Sequence, residues 1–555
     1  MKVLSAAEMQ ACDRATTERF NVSSVDLMRH AAAAIAEFAQ QQFPQAKRVT
    51  VLCGRGNNGG DGMMAARLLA EREIAVTAVL CGSPEEIKGD AAIAWLELNE
   101  SKRCFIRVAK AEEDLGAHDV ALDADLIVDA VVGTGFKPPL KGLALAALEW
   151  MKAGTAARHV PILAVDLPSG WPADETAATV RGPVFPADAV ITFTAPKPAH
   201  VFGQLTRQWD QPVVVAPIGS PHEAVISTTG VEWAGTAQEL TLKPRAAAAN
   251  KGSFGHVLVV GGSFGLAGGK AGAPVMTSLA AMRAGAGLVT AAVPAPALQV
   301  VSSYAPELMT WPLAANDDGQ ALADNLAPEK VAALTKGIAV LALGPGLGQS
   351  DDTAKFCKGL LSATTMPVVI DADALNIVAR EPGLLAGLAK DGRTIVITPH
   401  PGEMARLAGI KTAEVQARRL EVARDFATGN HVTVVLKGAR TLIAHPDGRV
   451  AVNTTGNPGM AKGGSGDLLT GIVAALLAQY PREPERAVEA AVFLHGLAAD
   501  MAVHEGDEHT LLATDSLPQF SRAFRFRSRA ANGYVWLQGL PPGTSPGKRS
   551  HEAAE

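Results

Sequence analysis

Arg48-Val49-Thr50-Val51-Leu52-Cys53 runs directly into Gly54-Arg55-Gly56-Asn57-Asn58-Gly59-Gly60-Asp61-Gly62, and Met63 to Arg72 follows without a glycine or proline. An apolar run of strand length, a glycine cluster and an alanine- and leucine-rich helical stretch together read as the opening of a parallel α/β sheet. Glycines let the backbone turn sharply and approach a phosphate, and the free N–H groups of a helix start supply donors and a favourable dipole. The loop contains GxGxxG. A dinucleotide dehydrogenase also needs Asp or Glu at the end of the next strand to hold the ribose, and that strand closes Leu80-Cys81-Gly82. The dehydrogenase reading is weakened accordingly, while a purely structural turn would not need Asn57, Asn58 and Asp61 together.

Outward from this loop, Ala75 to Leu80, Asp125 to Val132, Pro161 to Asp166 and Ala189 to Thr194 read as further strands, apolar enough for a sheet covered on both faces. Two of them end in polar groups: Asp129, followed by Gly133-Thr134-Gly135-Phe136-Lys137-Pro138-Pro139, and Asp166, followed by Leu167-Pro168-Ser169-Gly170. In an open parallel sheet the carboxyl ends of strands face one crevice, so Asn58, Asp129, Asp166 and Ser169 are expected to converge. Each aspartate taken singly reads more readily as a helix N-cap than as a catalytic group, and three such strand ends in one half reverse that preference.

After a break rich in Ser, Thr, Gly and Pro at Ser220 to Pro244, a second α/β series begins at Lys251. Its strands fall at His256 to Val260, Leu288 to Val293, Ile338 to Leu343, Pro367 to Ile370, Thr394 to Ile397 and Val432 to Leu436. Here Gly456-Asn457-Pro458-Gly459-Met460-Ala461-Lys462-Gly463-Gly464-Ser465-Gly466-Asp467 empties into a helix from Leu468 to Gln479, which makes an anion hole with a carboxylate beside it. Asp467 is then a candidate base for a substrate hydroxyl, the glycine N–H groups stabilising a transferring phosphoryl group. The competing reading is an N-cap aspartate. No GxxxxGK[ST] occurs, because Gly269-Lys270 is followed by Ala271. Other strand ends carry Gly344-Pro345-Gly346-Leu347-Gly348, Asp371-Ala372-Asp373-Ala374-Leu375 and Thr398-Pro399-His400-Pro401-Gly402-Glu403. His400 between two prolines reads as a structural hydrogen-bonder or as a ligand contact. Lys437-Gly438-Ala439-Arg440-Thr441 suits phosphate or ribose contact, though a solvated hairpin would look similar.

Composition agrees with two cores and a small ligand. The chain has 555 residues, 48% hydrophobic and 19% charged, well away from the compositions that stay disordered. Fifty basic against 56 acidic residues leave −6, which does not point to nucleic acid. Met1 to Phe20 lacks the apolar stretch of a secretory signal, no uninterrupted apolar run reaches membrane-spanning length, and the five cysteines form no CxxC pair. A cytoplasmic protein without a membrane partner is expected, and a homo-oligomer is compatible with it. The expected layout is a first domain over 1–225, a linker over 226–245, a second domain over 246–515 and a mobile tail over 516–555, where arginines, prolines and glycines show no apolar period. The halves do not repeat one another by motif, as in a fusion of two activities.

The motifs NNGGDG, DAVVGTGF and DLPSG resemble the NAD(P)H-hydrate epimerase family over roughly residues 1–225. That resemblance implies a Rossmann-like fold in which Asn57, Asn58, Gly59, Gly60, Asp61, Gly133, Thr134, Gly135, Phe136, Lys137, Pro138, Pro139 and Asp166 bind the hydrated nucleotide. It also implies a potassium ion among Asn58, Asp129 and Ser169, with Asp166 the candidate acid/base. GGS, RAGAG, GPGLG, DADAL, TPHPGE, KGART and GNPGMAKGGSGD resemble the ADP-dependent NAD(P)H-hydrate dehydratases of the ribokinase-like superfamily over about 246–515. This implies that Ala273, Gly346, His400 and Asp467 contact the hydrate, that Lys437, Gly438, Ala439, Arg440, Thr441 and Gly466 hold the adenine nucleotide, and that Mg²⁺ accompanies ADP. The loop from Gly261 to Gly272 is longer than that family's usual one. The expected function is epimerisation of the R and S hydrates of NADH and NADPH at C6, joined to ADP-dependent dehydration of the S form. A small-alcohol kinase fused to a non-catalytic nucleotide-binding module would show the same two glycine loops.

Overall fold

The computed structural model describes residues 1–116, 123–156, 158–266 and 268–542. They form two compact units, the first from residues 1–229 together with the chain after Arg527, the second from Gly230–Phe526. The first unit is built on β1 (Arg48–Cys53), β2 (Ala75–Cys81), β3 (Phe105–Ala109), β4 (Leu126–Ala130), β5 (Ile162–Val165), β6 (Ala189–Phe193) and β7 (Val213–Ala216), in the order β7-β6-β5-β4-β1-β2-β3. All these pairings are parallel, β1 against β2 with Val49 opposite Val76 and β1 against β4 with Val49 opposite Leu126. Helices such as Ser24–Gln42 and Asn57–Glu71 bury their alanine, leucine and methionine faces on the sheet.

The first glycine cluster differs from the sequence expectation. Helix Asn57–Glu71 begins inside it, so NNGGDG is helical, not a loop ahead of a helix at Met63. Its glycines serve close packing: a Cβ on Gly59 would lie 1.9 Å from the Gly54 carbonyl oxygen. The supposed tail is corrected more strongly. Val535–Gln538 is an eighth strand, antiparallel to β7 and fully buried, and Trp536 packs edge-on to Phe38 with ring centroids 6.0 Å apart. Tyr534 donates to the Ala34 carbonyl and to Glu37, and Gln538 to Thr206 and the Gln211 carbonyl. The rest of the expected tail, 543–555, lies outside the described residues.

In the second unit the strands are β8 (Val231–Trp233), β9 (His256–Val260), the small hairpin β10 (Phe264–Gly265) and β11 (Gly268–Gly269), β12 (Leu288–Pro294), β13 (Met309–Leu313), β14 (Val340–Leu343), β15 (Val368–Ile370), β16 (Ile395–Ile397), β17 (Thr433–Leu436), β18 (Leu442–Ala444) and β19 (Val450–Val452). The main sheet runs β13-β12-β9-β14-β15-β16-β17-β18-β19-β8, parallel except around β18. From Gly230 onward the expected linker is thus part of this unit: Val231–Trp233 pairs with β19, and Trp233 packs edge-on to Phe493. Helix Ser465–Gln479 crosses helix Gly272–Arg283 so closely that a Cβ on Gly471 would sit 2.0 Å from the Thr277 carbonyl oxygen. Pro484–Glu505 is long and apolar enough to span a membrane, but 78% of its apolar window is buried inside the structure, as in a core helix.

Candidate active sites

Strand order reverses between β1 and β4 in the first unit, so the loops leaving these strands diverge and open a crevice at their carboxyl ends. The approach is tight at its base, where the Gly54 N–H donates to Ala130 and a Cβ on Gly54 would lie 1.9 Å from the Val131 oxygen. Above it lies a cavity of about 1120 Å³ whose walls include Asn57, Asn58, Asp61, Gly133 to Lys137, Pro139, Asp166 and Lys197. Asp166, at the end of β5, has φ +64, a left-handed conformation rare for a non-glycine residue. Three groups hold it there. The Lys197 ammonium donates to its carboxylate at 2.7 Å, the Thr192 hydroxyl donates at 2.8 Å, and His200 Nε2 lies 2.7 Å from its carbonyl oxygen. Burial pushes the Asp166 carboxyl up, but Lys197 and His200 with these hydrogen bonds hold it below the usual carboxylate range. Burial and the Lys197 charge drive His200 down to about 4, so its ring is neutral and Nε2–H is the donor, because Nδ1 accepts the Lys197 N–H.

Beside this cluster Asp129 is completely buried. It accepts the Ser169 hydroxyl at 2.6 Å, the Ser169 N–H at 2.8 Å and the Val131 N–H at 3.3 Å, and burial outweighs these bonds to raise it to about 6. Asn58 stands against Gly133, with its amide Nδ2 buried and unpartnered. Asp129 and Ser169 thus form one buried, hydrogen-bonded pair, and Asn58 lies against the loop that follows Asp129 at Gly133.

The second unit repeats the device at the reversal between β9 and β14. Gly262 N–H donates to Pro345 and Gly344 N–H to Val260, tying the two diverging loops together. Gly346, at φ +66, leaves room for its neighbours: a Cβ there would meet the Lys270 oxygen at 2.7 Å and the Ala273 Cβ at 3.2 Å. Lys270 reaches Asp373 at 3.2 Å, and Gly348 N–H and Gln349 also donate to that carboxylate. Asp371 accepts Lys437 at 2.9 Å and the Thr470 hydroxyl at 2.8 Å, and Lys437 lies 3.7 Å from Glu403. A Cβ on Gly466 would come within 3.3 Å of the Lys437 ammonium.

Asp467 lies in the first turn of helix Ser465–Gln479, whose N-cap is Gly464 without any side-chain cap bond. The N-cap reading is thereby excluded for it. Burial and the nearby Asp371 raise its carboxyl to about 6 against the opposing pull of Lys437. His400, by contrast, does cap a helix, its Nδ1 accepting from Gly402 and Glu403, which leaves Nε2 as the protonated, half-exposed nitrogen.

Known proteins match this arrangement half by half. Residues 24–199 match the family described as YjeF-related protein N-terminus, and residues 257–519 match NAD(P)H-hydrate dehydratase. A bifunctional NAD(P)H-hydrate repair enzyme of Moorella thermoacetica is 39% identical over 528 residues, 93% of this chain and 95% of its own. The chain belongs to the bifunctional NAD(P)H-hydrate repair enzymes. The Escherichia coli enzyme of the same description is 34% identical over 93% of both chains. Among solved structures, an ADP/ATP-dependent NAD(P)H-hydrate dehydratase from Bacillus subtilis, crystallised with ATP and Mg²⁺, is 31% identical, covering 54% of this chain and 99% of its own with a TM-score of 0.45. The protein is a metabolite-repair enzyme with an epimerase unit and a dehydratase unit, an isomerase and a lyase in one chain.

Within this repair enzyme the structure gathers Asn57, Asn58, Asp61, the Gly133–Pro139 loop and Asp166 around one cavity, Pro138 joining Pro139 through a cis bond. Ala273, Gly346, Gly466, Lys437 and Asp467 are brought to one strand-end cluster. The long loop after β9 folds into the β10–β11 hairpin and still delivers Ala273 beside Gly346. Lys437–Thr441 is the β17–β18 hairpin connection, and two of its side chains are engaged within the protein. The Lys437 side chain points to Asp371 and Glu403, and the half-buried Arg440 guanidinium donates to the Thr454 carbonyl. Gly438 and Ala439 are exposed and offer backbone. Sequence reasoning missed Thr192 on β6 and Lys197 and His200, the N-cap and a member of the short helix Pro198–Phe202 that follows. It quoted Asp371, Asp373, Glu403 and Lys270 only as parts of motifs; the available signal was that each stands at or just past the end of a strand.

Proposed function

We propose that the two crevices are the two active sites and that the strand-end residues carry the chemistry. The observation that supports this most is Asp467, a carboxylate at a helix start that caps nothing, raised to about 6 and facing two lysines. The hydrated ring carries a hydroxyl on C6 beside a ring nitrogen, a poor leaving group. Asp467 takes the hydroxyl proton as the terminal phosphoryl group of ADP is transferred to that oxygen, and the N–H groups of Gly463 to Gly466 stabilise its charge. The nitrogen lone pair then expels phosphate to leave a C6–N double bond, and loss of a proton from C5 to solvent regenerates the reduced nicotinamide. Ala273 and Gly346 form the wall against the hydrate, His400 offers Nε2–H, and the backbone of Gly438 to Thr441 with Gly466 borders the nucleotide.

Mg²⁺ fits the donor set here. Asp371, Asp373, Glu403 and Asp467 outnumber Lys270 and Lys437, while no three ligating side chains among the described residues form a cage of their own, as expected for an ion held by one or two carboxylates and substrate phosphates. Asp371 and Glu403 would hold it, and its charge would offset that of the phosphates. In the epimerase unit, Asp129 is a buried carboxylate with no cation among its hydrogen-bond partners, and hard oxygens from Asn58, Asp129 and Ser169 fit potassium. There Asp166 is the acid/base, and the helix start at Asn57–Asp61 together with the Gly133–Pro139 loop binds the hydrate. Five free cysteines fit a reducing compartment such as the cytoplasm.

The test is Asp467→Asn, given pure S hydrate and ADP. Nucleotide binding is retained, dehydration falls by about 10²- to 10⁴-fold as for a lost general base, and epimerisation survives. Dehydration at near wild-type rate overturns the assignment. Release of phosphate together with recovery of reduced-nicotinamide absorbance by the wild type separates this reading from a small-alcohol kinase, which would retain its phosphorylated product.

A further inference from the structure

Epimerisation by loss and return of water needs a proton given to the hydroxyl that leaves one face of the ring and a proton taken from the water that enters the other face, which suits two groups better than one. The epimerase cavity contains a second carboxylate of opposite character to Asp166. Asp61, in the second turn of helix Asn57–Glu71, lines the same cavity as Asp13, Asp166 and Lys197 and has no hydrogen-bond partner among the described residues. Asp166, in contrast, is clamped by Lys197, Thr192 and the His200 contact to its carbonyl.

We propose that Asp61 and Asp166 divide the proton work of epimerisation, Asp61 as the general acid and Asp166 as the general base, with Lys197 the positioning residue that keeps the base ionised. The proposal rests on the reading of Asp166 given above. Burial, with the charges of Asp166 and Asp13 adding to it, pushes Asp61 well above the usual carboxylate range, and Lys197 opposes this only in part. Asp13 is also raised, by burial and by Asp166 against the pull of Lys197, while Asp166 is lowered. Two acids whose surroundings push them apart in this way are suited to act as an acid and a base at one pH. His200 stays neutral and leaves Lys197 as the cation facing Asp166.

The step balances without a co-reactant. Asp61 gives its proton to the C6 hydroxyl, the C6–O bond breaks with its electron pair leaving as water, and the ring-nitrogen lone pair forms a C6–N double bond. Water adds to the other face of the planar cation while Asp166 accepts its proton, and the nitrogen recovers its lone pair. One water leaves and one enters, nothing is oxidised, and the proton passes from Asp166 back to Asp61 through solvent in the open cavity. Lys197 donates to Asp166 and Thr192 throughout and exchanges no proton with substrate.

The experiment follows R-to-S conversion by the full-length enzyme in potassium buffer without ADP, by chromatography, after subtraction of the spontaneous rate. The wild-type pH profile is bell-shaped: the rate rises as Asp166 ionises and falls as Asp61 loses its proton. Asp61→Asn lowers the rate by about 10²- to 10⁴-fold and removes the alkaline limb, while calorimetry shows the hydrate still bound. Lys197→Met moves the acid limb to higher pH, because Asp166 loses its counter-charge, and Lys197→Arg restores it. Asp61→Asn at near wild-type rate overturns the division of labour, as does a wild-type profile flat across the alkaline range, which needs no variant to fold. Asp166→Asn at near wild-type rate overturns the underlying reading of Asp166 instead.

Discussion

Trp536 lies 4% exposed in the core of the epimerase unit, although nearly 300 residues of dehydratase separate it from the rest of that unit in sequence. Its ring packs on Phe38, and its strand extends the sheet beyond β7. Trp536→Ala removes a nearly fully buried aromatic side chain and is expected to cost the epimerase unit about 3–5 kcal/mol. With a urea slope of roughly 2–3 kcal/mol per molar, that moves the unfolding midpoint down by about 1–2 M. The assay is residual activity against urea, read twice on one sample, as R-to-S conversion and as ADP-dependent dehydration of pure S hydrate. The epimerase curve shifts and the dehydratase curve, which depends on Gly230–Phe526, stays in place. Equal curves for wild type and variant refute the placement of the C-terminal strand in the first unit, and a shift of the dehydratase curve alone refutes the division of the chain.

Asp129→Ala removes the only formal charge from the candidate potassium site and strands the Ser169 and Val131 donors. Epimerisation and its response to potassium are expected to fall while dehydration of S hydrate is unchanged; a variant with undiminished potassium activation contradicts the site. Dehydration is expected to rise with pH through about 6, because Asp467 acts as the carboxylate, so one pH unit below that value the rate is about a tenth of its plateau. Lys437→Met removes the ammonium that holds Asp467 down and moves this limb to higher pH, an outcome read from the same profile.

Much of the fold was legible because buried parallel strands announce themselves as short apolar runs closed by glycine or aspartate, as at Arg48–Cys53 and His256–Val260. Half-exposed or edge elements carry no such signature. Phe105–Ala109 has the burial of a sheet edge, and Val231–Trp233 is too short to stand out from its Ser, Thr and Gly surroundings. Val535–Gln538 sits among arginines, prolines and glycines, and only its partner β7, more than 300 residues away, gives it a reason to be a strand. The glycine clusters were read as loops because glycine is a poor helix former; in Asn57–Glu71 close packing against the sheet overrides that propensity. Motif spacing singled out Asp166, Asp129 and Asp467 because each stands at a strand end or after a glycine run. Lys197 escaped because it acts across the fold, reaching Asp166 from a helix N-cap 31 residues later. Arg440 stood out in sequence by its charge, whereas the direction of its side chain, which donates to the Thr454 carbonyl, is visible only in the structure.

Purified R hydrate of NADH, incubated with the full-length protein, tests the paired activities in one measurement of absorbance at the reduced-nicotinamide band. With ADP and Mg²⁺ the account predicts complete conversion to NADH with one phosphate released per NADH formed, faster than the spontaneous epimerisation of the R form allows. Without ADP it predicts a mixture of R and S hydrates and no NADH. Recovery limited to the spontaneous rate of S formation would contradict an active epimerase, and NADH formed at the same rate without ADP would contradict phosphorylation as the route to dehydration.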